Sequence, residues 1–200
     1  MKKLLLTSTG FDNEKVRDKF FEIIDKPKEE IKILYIPTAS NVEKDKFYVE
    51  ENKIEIFNSG ISKKNLFEFD LDRNPDYKVL DNIDSIYIEG GNTFYLMKRL
   101  NETKFSDKIC ELVNKGVAYV GVSAGTIIAG PDIRIAFDNN NIKLKNYAGI
   151  NLTGMIIAPH YAKDREKRIS KIEKEISQSI YRLKDGEALL ILNEKVRLIR

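Results

Sequence analysis

Gly121-Val122-Ser123-Ala124-Gly125 follows the apolar run Val117–Val120 and leads into Ala124-Gly125-Thr126-Ile127-Ile128. A G-x-S-x-G run between a strand and a helix lifts the serine hydroxyl clear of the sheet end, where it can attack a carbonyl carbon. Glycines at 121 and 125 suit a crowded turn and unusual backbone angles. The same string would also let a helix pack closely on a strand, so its neighbours must decide. A nucleophilic serine needs a base, and His160 is the one imidazole in the chain. It follows Met155–Ala158 and Pro159, at the carboxyl end of another apolar run. A carboxylate must then orient the imidazole and stabilise its cation. Asp132, Asp138, Asp164 and Glu187 are the candidates, and spacing does not choose among them because triad members meet in space. The short interval from Ser123 to His160 does exclude the α/β-hydrolase order, which places acid and histidine much farther along.

Glu89-Gly90-Gly91-Asn92-Thr93-Phe94 comes after the apolar run Ser85–Ile88 and before a helical stretch. The Gly91 and Ala124 amides could there receive the oxyanion that forms when Ser123 attacks. The plainer reading is a helix entry with Asn92 as its cap. Phosphate binding is disfavoured, since neither G-x-G-x-x-G nor a Walker lysine is present. Asp70, Asp72, Asn74, Asp76 and Asp81 imitate a calcium-loop spacing. Pro75 stands where that loop requires glycine and Asp81 replaces its glutamate, so no such loop is expected. Cys110 sits on an apolar helical stripe and is expected to be a small core residue.

The elements that must carry these groups alternate. Strands are expected at Lys3–Thr7, Ile31–Ile36, Lys53–Phe57, Ser85–Ile88, Val117–Val120, Met155–Ala158, Ala188–Leu192 and Lys195–Ile199. Helical stripes run through Val16, Phe20, Ile23 and Ile24, through Phe94, Met97 and Leu100, and through Ile109, Leu112 and Val113. This alternation predicts an α/β fold with a mostly parallel sheet covered on both faces and its chemistry at the carboxyl ends of strands. Asn139-Asn140-Asn141 is expected to be a polar hairpin turn. The 200 residues, 42% hydrophobic and 32% charged, suit one domain over 1–200. Net charge is +3, from 34 basic and 31 acidic residues that are interspersed, so neither nucleic acid nor membrane is an expected partner. The opening Met1-Lys2-Lys3-Leu4-Leu5-Leu6 is too short an apolar run for a signal peptide and is expected to be a buried strand. One cysteine permits no internal disulfide, and a soluble, cytoplasmic protein is expected.

Taken together, Glu89–Phe94, Gly121–Gly125, Pro131 to Asp138, Pro159-His160-Tyr161 and Arg165–Ile169 resemble the peptidase E, or aspartyl dipeptidase, family of serine peptidases. The resemblance covers most of the chain. It implies a three-layer sandwich of the class I glutamine amidotransferase-like (flavodoxin-like) type, with serine in place of the amidotransferase cysteine. It also implies Ser123 as nucleophile, His160 as base and Asp138 as triad acid with Glu187 in reserve. Gly91 and Ala124 would form the oxyanion hole, and Asn92 and Arg165 would hold a substrate aspartate. The implied activity is hydrolysis of dipeptides with N-terminal aspartate by a monomer or homodimer, with no metal or organic cofactor. The chain lacks the further histidine near the amino terminus that aspartyl dipeptidases use, and only four residues separate His160 from Arg165, which predicts a more open pocket wall. Alternatives are a cyanophycinase-like β-aspartyl peptidase and a non-catalytic small-molecule-binding module.

Overall fold

A computed structural model describes residues 1–73 and 75–200, so Asn74 of the calcium-like spacing lies outside the described residues. The strands are β1 (Lys3–Thr7), β2 (Ile33–Ile36), β3 (Leu66–Glu68), β4 (Ser85–Ile88), β5 (Ala118–Val122), β6 (Ile156–Ala158), β7 (Ile180–Arg182), β8 (Ala188–Leu192) and β9 (Lys195–Ile199). The helices are α1 (Glu14–Ile24), α2 (Phe47–Asn58), α3 (Thr93–Thr103), α4 (Phe105–Asn114), α5 (Ala124–Ile128) and α6 (Glu166–Ile176). Seven strands form one sheet in the order β3-β2-β4-β5-β1-β8-β9, and β6 and β7 pair separately. β1 to β5 run parallel, whereas β8 lies antiparallel to β1 and β9 antiparallel to β8.

Successive strand side chains point to opposite faces, and this splits the core in two. Leu4, Leu6, Ile86, Ile88 and Tyr119 pack with α3, α4, α5 and α6 on one face. Leu5, Tyr35, Tyr87, Val120 and Val122 pack with α1 and α2 on the other. Both faces of the central strands are therefore apolar, as a parallel sheet covered by two helical layers requires. The Asn13 side chain caps α1 through the Lys15 amide, its stripe Val16, Phe20 and Ile23 is buried, and Asp25 ends it in a left-handed conformation.

Lys53–Phe57 is not a strand but the second half of α2. Ile54 and Ile56 would share a face in a strand. Here Ile56 is buried and Ile54 is 54% exposed, because Val49, Asn52 and Ile56 form the inward stripe at helical spacing. Asn139–Asn141 lie in a loop rather than at a hairpin. The Asn140 side chain clasps the Leu144 backbone at 2.8 and 2.9 Å, and an isolated bridge between Asp132 and Ala148 joins the ends of the loop. The three-residue strands β3 and β7 carry too little periodicity to be visible in the sequence. No helix among the described residues is long and apolar enough to cross a membrane.

Candidate active site

The carboxyl ends of β1, β4 and β5 are adjacent, and Ser123 follows β5 directly. Its backbone has φ 46° and ψ −101°, outside the regions that L-residues ordinarily occupy. Such strain persists where the surroundings over-determine the conformation. The Ser123 amide donates to the Thr7 carbonyl at 3.2 Å, the Thr126 hydroxyl lies 2.7 and 2.8 Å from the Thr7 and Gly121 carbonyls, and Tyr119 Oη donates to the Gly125 carbonyl at 2.6 Å. The flanking glycines are needed for close approach, not for unusual angles. A Cβ on Gly121 would lie 2.6 Å from the Gly125 oxygen, and one on Gly125 only 2.3 Å from the Ile88 oxygen.

Ser123 Oγ lies 2.9 Å from His160 Nε2. His160 Nδ1 in turn lies 2.7 Å from Asp185 Oδ1. The imidazole thus bridges a hydroxyl and a carboxylate, with Nδ1–H donating to Asp185 and Nε2 free to accept from Ser123. β6 and β7 bring the two loops together. Ala158 pairs with Arg182, the Leu183 amide donates to the Ala158 carbonyl at 2.9 Å, and the Tyr161 amide donates back to Leu183 at 2.9 Å. His160 itself has φ 54°, and its amide donates to Ser8 Oγ at 2.7 Å. Ser8 then donates to Asp185 Oδ1, also at 2.7 Å, so one hydroxyl from the end of β1 ties the histidine backbone to the carboxylate. Partial burial pushes the Asp185 carboxyl up. The Ser8 hydroxyl, the His160 imidazole and Arg165 together outweigh that effect and hold it below the usual carboxylate range.

Asp138, the acid expected from the sequence, is engaged elsewhere. Its carboxylate accepts from the Thr93 amide at 2.8 Å, satisfying an otherwise unpaired donor in the first turn of α3, and it reaches the cleft only as a wall. Glu187 is also engaged: its carboxylate accepts from the Lys184 amide at 3.0 Å and pairs with Arg200 at 3.1 Å. Asp132 forms a two-pronged pair with Arg134. Asp185 and Ser8, which meet His160 and each other here, are not among the sequence candidates. The signal for Asp185 was the Asp185-Gly186 turn just before β8, which places a carboxylate beside the end of the antiparallel neighbour β1.

Gly90 abuts Ser123, since a Cβ there would sit 3.4 Å from the Ser123 Cβ. Gly91 has φ 130°, and a Cβ there would meet the Ala39 backbone at 2.5 Å, so only glycine fits at this point of the cavity lining. Ala124 occupies the first position of α5, where amides have no acceptor within the helix. Asn92 is a structural cap and not part of the cleft wall. Its Oδ1 accepts from the Tyr95 amide at 3.0 Å and its Nδ2 donates to the Asn139 carbonyl at 3.2 Å. Arg165 lies 4.6 Å over the Phe137 ring, which Arg168 also contacts, and makes no ion pair among the described residues. It lines a cavity of about 200 Å³ together with Ser123, Asp138 and His160. A larger cavity of about 500 Å³ opens on the other flank of Ser123. Cys110 is half-buried on α4, its thiol pushed up by burial, and it lines neither cavity.

Glu89 closes the floor of the larger cavity and is fully buried. It accepts from Asn52 Nδ2 at 2.8 Å and from the Gly90 amide at 2.7 Å, and its Oε2 lies 2.6 Å from Tyr35 Oη. Burial pushes its carboxyl up to about 7, against the lowering effect of these three hydrogen bonds. When neutral it donates to Tyr35 Oη, which is then free to donate to the Val49 carbonyl at 3.2 Å. A carboxyl raised on folding binds more protons in the folded than in the unfolded chain between its two pKa values. Its contribution to stability is therefore present below the unfolded value and lost as pH rises toward 7 and above. Glu89→Gln reproduces the neutral pattern, with the amide donating to Tyr35. It should stabilise the protein at pH 8.5 by roughly 1–3 kcal/mol and have little effect at pH 5. Urea denaturation of both proteins at the two pH values checks this, and a variant less stable at pH 8.5 would contradict it.

Comparison with known proteins gives the family and the fold. The model for peptidase family S51 matches residues 4–199. The chain belongs to peptidase family S51. Among its relatives, an uncharacterized peptidase of Listeria innocua is 34% identical over 178 residues, 82% of either chain. Peptidase E of a Nostoc species is 31% identical over 181 residues, covering 84% of this chain and 72% of that protein. The crystal structure of a candidate peptidase E from Listeria monocytogenes superposes with a TM-score of 0.85 at 32% identity, covering 100% of this chain and 98% of the other. The S51 chain is accordingly a peptidase of the serine type with the peptidase E fold.

Proposed function

We propose that this S51 peptidase cleaves short peptides through an acyl-enzyme, with Ser123 as nucleophile, His160 as general base and acid, and Asp185 as the carboxylate that orients the imidazole. The continuous contact from Asp185 through His160 to Ser123 carries this reading. Ser123 Oγ attacks the scissile carbonyl while its proton passes to His160 Nε2. The carbonyl π electrons move to oxygen, and the Gly91 and Ala124 amides receive that oxyanion. Collapse of the tetrahedral intermediate breaks the C–N bond, and His160 gives its proton to the departing amine. Water then attacks the acyl ester, again losing a proton to His160, and Ser123 is released with its proton restored. Asp185 remains ionised throughout and stabilises the imidazolium. The expected setting is the cytoplasm.

Arg165 is the cation at the rim beside Ser123, and the small cavity beneath it suits a substrate carboxylate. An N-terminal aspartate is the side chain to test first, because the planar guanidinium pairs with a carboxylate in two-pronged fashion. Asn92 is spent on capping α3 and has no part in this recognition. Arg165→Ala should lower kcat/KM for Asp-Leu by roughly 10–100-fold and leave Ala-Leu little changed. An equal loss for both peptides would remove Arg165 from recognition of aspartate. The same assay with β-Asp-Leu separates α-aspartyl from β-aspartyl cleavage, and absence of turnover with every peptide would contradict the peptidase mechanism.

A further inference from the structure

The cavity of about 500 Å³ is walled by Asp12, Glu43, Glu51, Glu55, Glu89 and Asp138, and no lysine or arginine lines it among the described residues. These carboxylates come from separate places in the chain: the segments after β1 and β2, one side of α2, the end of β4 and the loop after α5. Only the fold brings them together around one side of Ser123. On α2, Tyr48, Glu51, Asn52 and Glu55 recur at the i, i+3, i+4, i+7 spacing that ordinarily carries an apolar contact stripe. Here that stripe is polar and faces the cavity.

Several of its polar atoms are unused. Tyr48 Oη and Glu55 Oε2 are buried without a hydrogen-bond partner. Asn52 is only 8% exposed and gives its Nδ2 to Glu89. Carboxylate and hydroxyl oxygens held this way, in a wall without lysine or arginine among the described residues, suit a donor-rich cation. Desolvation and the neighbouring Asp12 also push the Glu55 carboxyl up, the condition an incoming cation would relieve. The two cavities share Ser123, Asp138 and His160, so a scissile bond held at Ser123 has the Arg165 pocket on one side and the carboxylate wall on the other.

We propose that the larger cavity is the subsite for a cationic group of the substrate, an alkylammonium or guanidinium carried close to the scissile bond. This rests on the peptidase reading above and adds a charge to the substrate class: an anionic group at Arg165 and a cationic group at the α2 wall. The cation can be a lysine or arginine side chain or a free α-amine, and the two are separable by peptide chemistry.

The test measures affinity apart from turnover. Calorimetry on the Ser123→Ala protein compares Asp-Lys with Asp-norleucine, which removes only the side-chain ammonium, and each with its succinyl (desamino-aspartyl) analogue, which removes only the α-ammonium. Removing one of the two ammonium groups should weaken binding roughly 10-fold, and that loss should shrink to less than about 3-fold in the Glu51→Gln/Glu55→Gln background. Glu51 is exposed, so Glu51→Lys folds without a buried charge and should reverse the preference toward Asp-Glu. Equal affinity for all four peptides, or a preference unaltered by the α2 substitutions, would overturn the proposal. Hydrolysis of the same peptides by the wild type is followed in parallel. Turnover without a cation preference removes the subsite and leaves the peptidase mechanism, and a cation preference without turnover does the reverse.

Discussion

Asp185→Asn is expected to lower kcat/KM for peptide hydrolysis by roughly 1,000- to 10,000-fold while leaving the fold intact. Asparagine matches aspartate in size. In presenting its amide N–H to Nδ1 it would favour the tautomer in which Nε2 carries the hydrogen and cannot accept the Ser123 proton. It would also leave the imidazolium without its counter-charge. The Asp185 side chain is 63% exposed, so its neutralisation has little effect on stability, and a loss of activity can be separated from a loss of structure by thermal unfolding. Asp138→Asn is the paired control. An asparagine oxygen still accepts from the Thr93 amide, so the α3 terminus is kept and kcat/KM should fall by less than about 10-fold. Parallel kinetics on the two variants decide between the acids. A large loss in Asp138→Asn with near-normal Asp185→Asn would return the role to Asp138.

Ser123→Gly should abolish turnover and at the same time raise stability. Loss of the nucleophile alone costs many powers of ten in rate, with only the residual catalysis of the oxyanion site remaining. The backbone argument is independent of the chemistry. Ser123 is held at φ 46° and ψ −101°, a conformation that is strained for an L-residue and accessible to glycine. Relief of that strain is worth roughly 1–3 kcal/mol, from which the greater chain entropy of unfolded glycine, about 0.5–1 kcal/mol, must be subtracted. Ser123→Ala keeps the strain and loses only the hydroxyl, so it should be inactive without the gain. Urea midpoints in the order Ser123→Gly above Ser123→Ala and wild type would show that the elbow stores strain for function. Equal midpoints for the glycine and alanine variants would show that it does not.

The sheet and the turn that carries Ser123 were legible in the sequence because the signals were local. Lys3–Thr7, Ser85–Ile88 and Ala188–Leu192 are short apolar runs bounded by polar or turn residues, and Gly121–Gly125 names its own turn. α2 misled because Lys53-Ile54-Glu55-Ile56-Phe57 alternates like a strand over five residues, whereas its buried stripe becomes visible only when Val49 and Asn52 are included. The carboxylate that meets His160 was hidden for a different reason. Asp185 reaches His160 through the pairing of β6 with β7, and Ile180-Tyr181-Arg182 is too short, and interrupted by a charge, to announce a strand. Without that pairing nothing in the sequence places the Lys184–Gly186 turn beside Pro159-His160. Asn92 carried both a cap signature and a recognition role by resemblance, and the cap is what its side chain makes.

The most direct test of the catalytic account is the rate at which a fluorophosphonate modifies the protein, followed by intact mass and peptide mapping in wild type, Ser123→Ala, Asp185→Asn and Asp138→Asn. The account predicts a single adduct on Ser123, none in Ser123→Ala, labelling slowed by roughly 100-fold or more in Asp185→Asn, and a near wild-type rate in Asp138→Asn. Labelling of Asp185→Asn at the wild-type rate, or no adduct on Ser123 in the wild type, would contradict it.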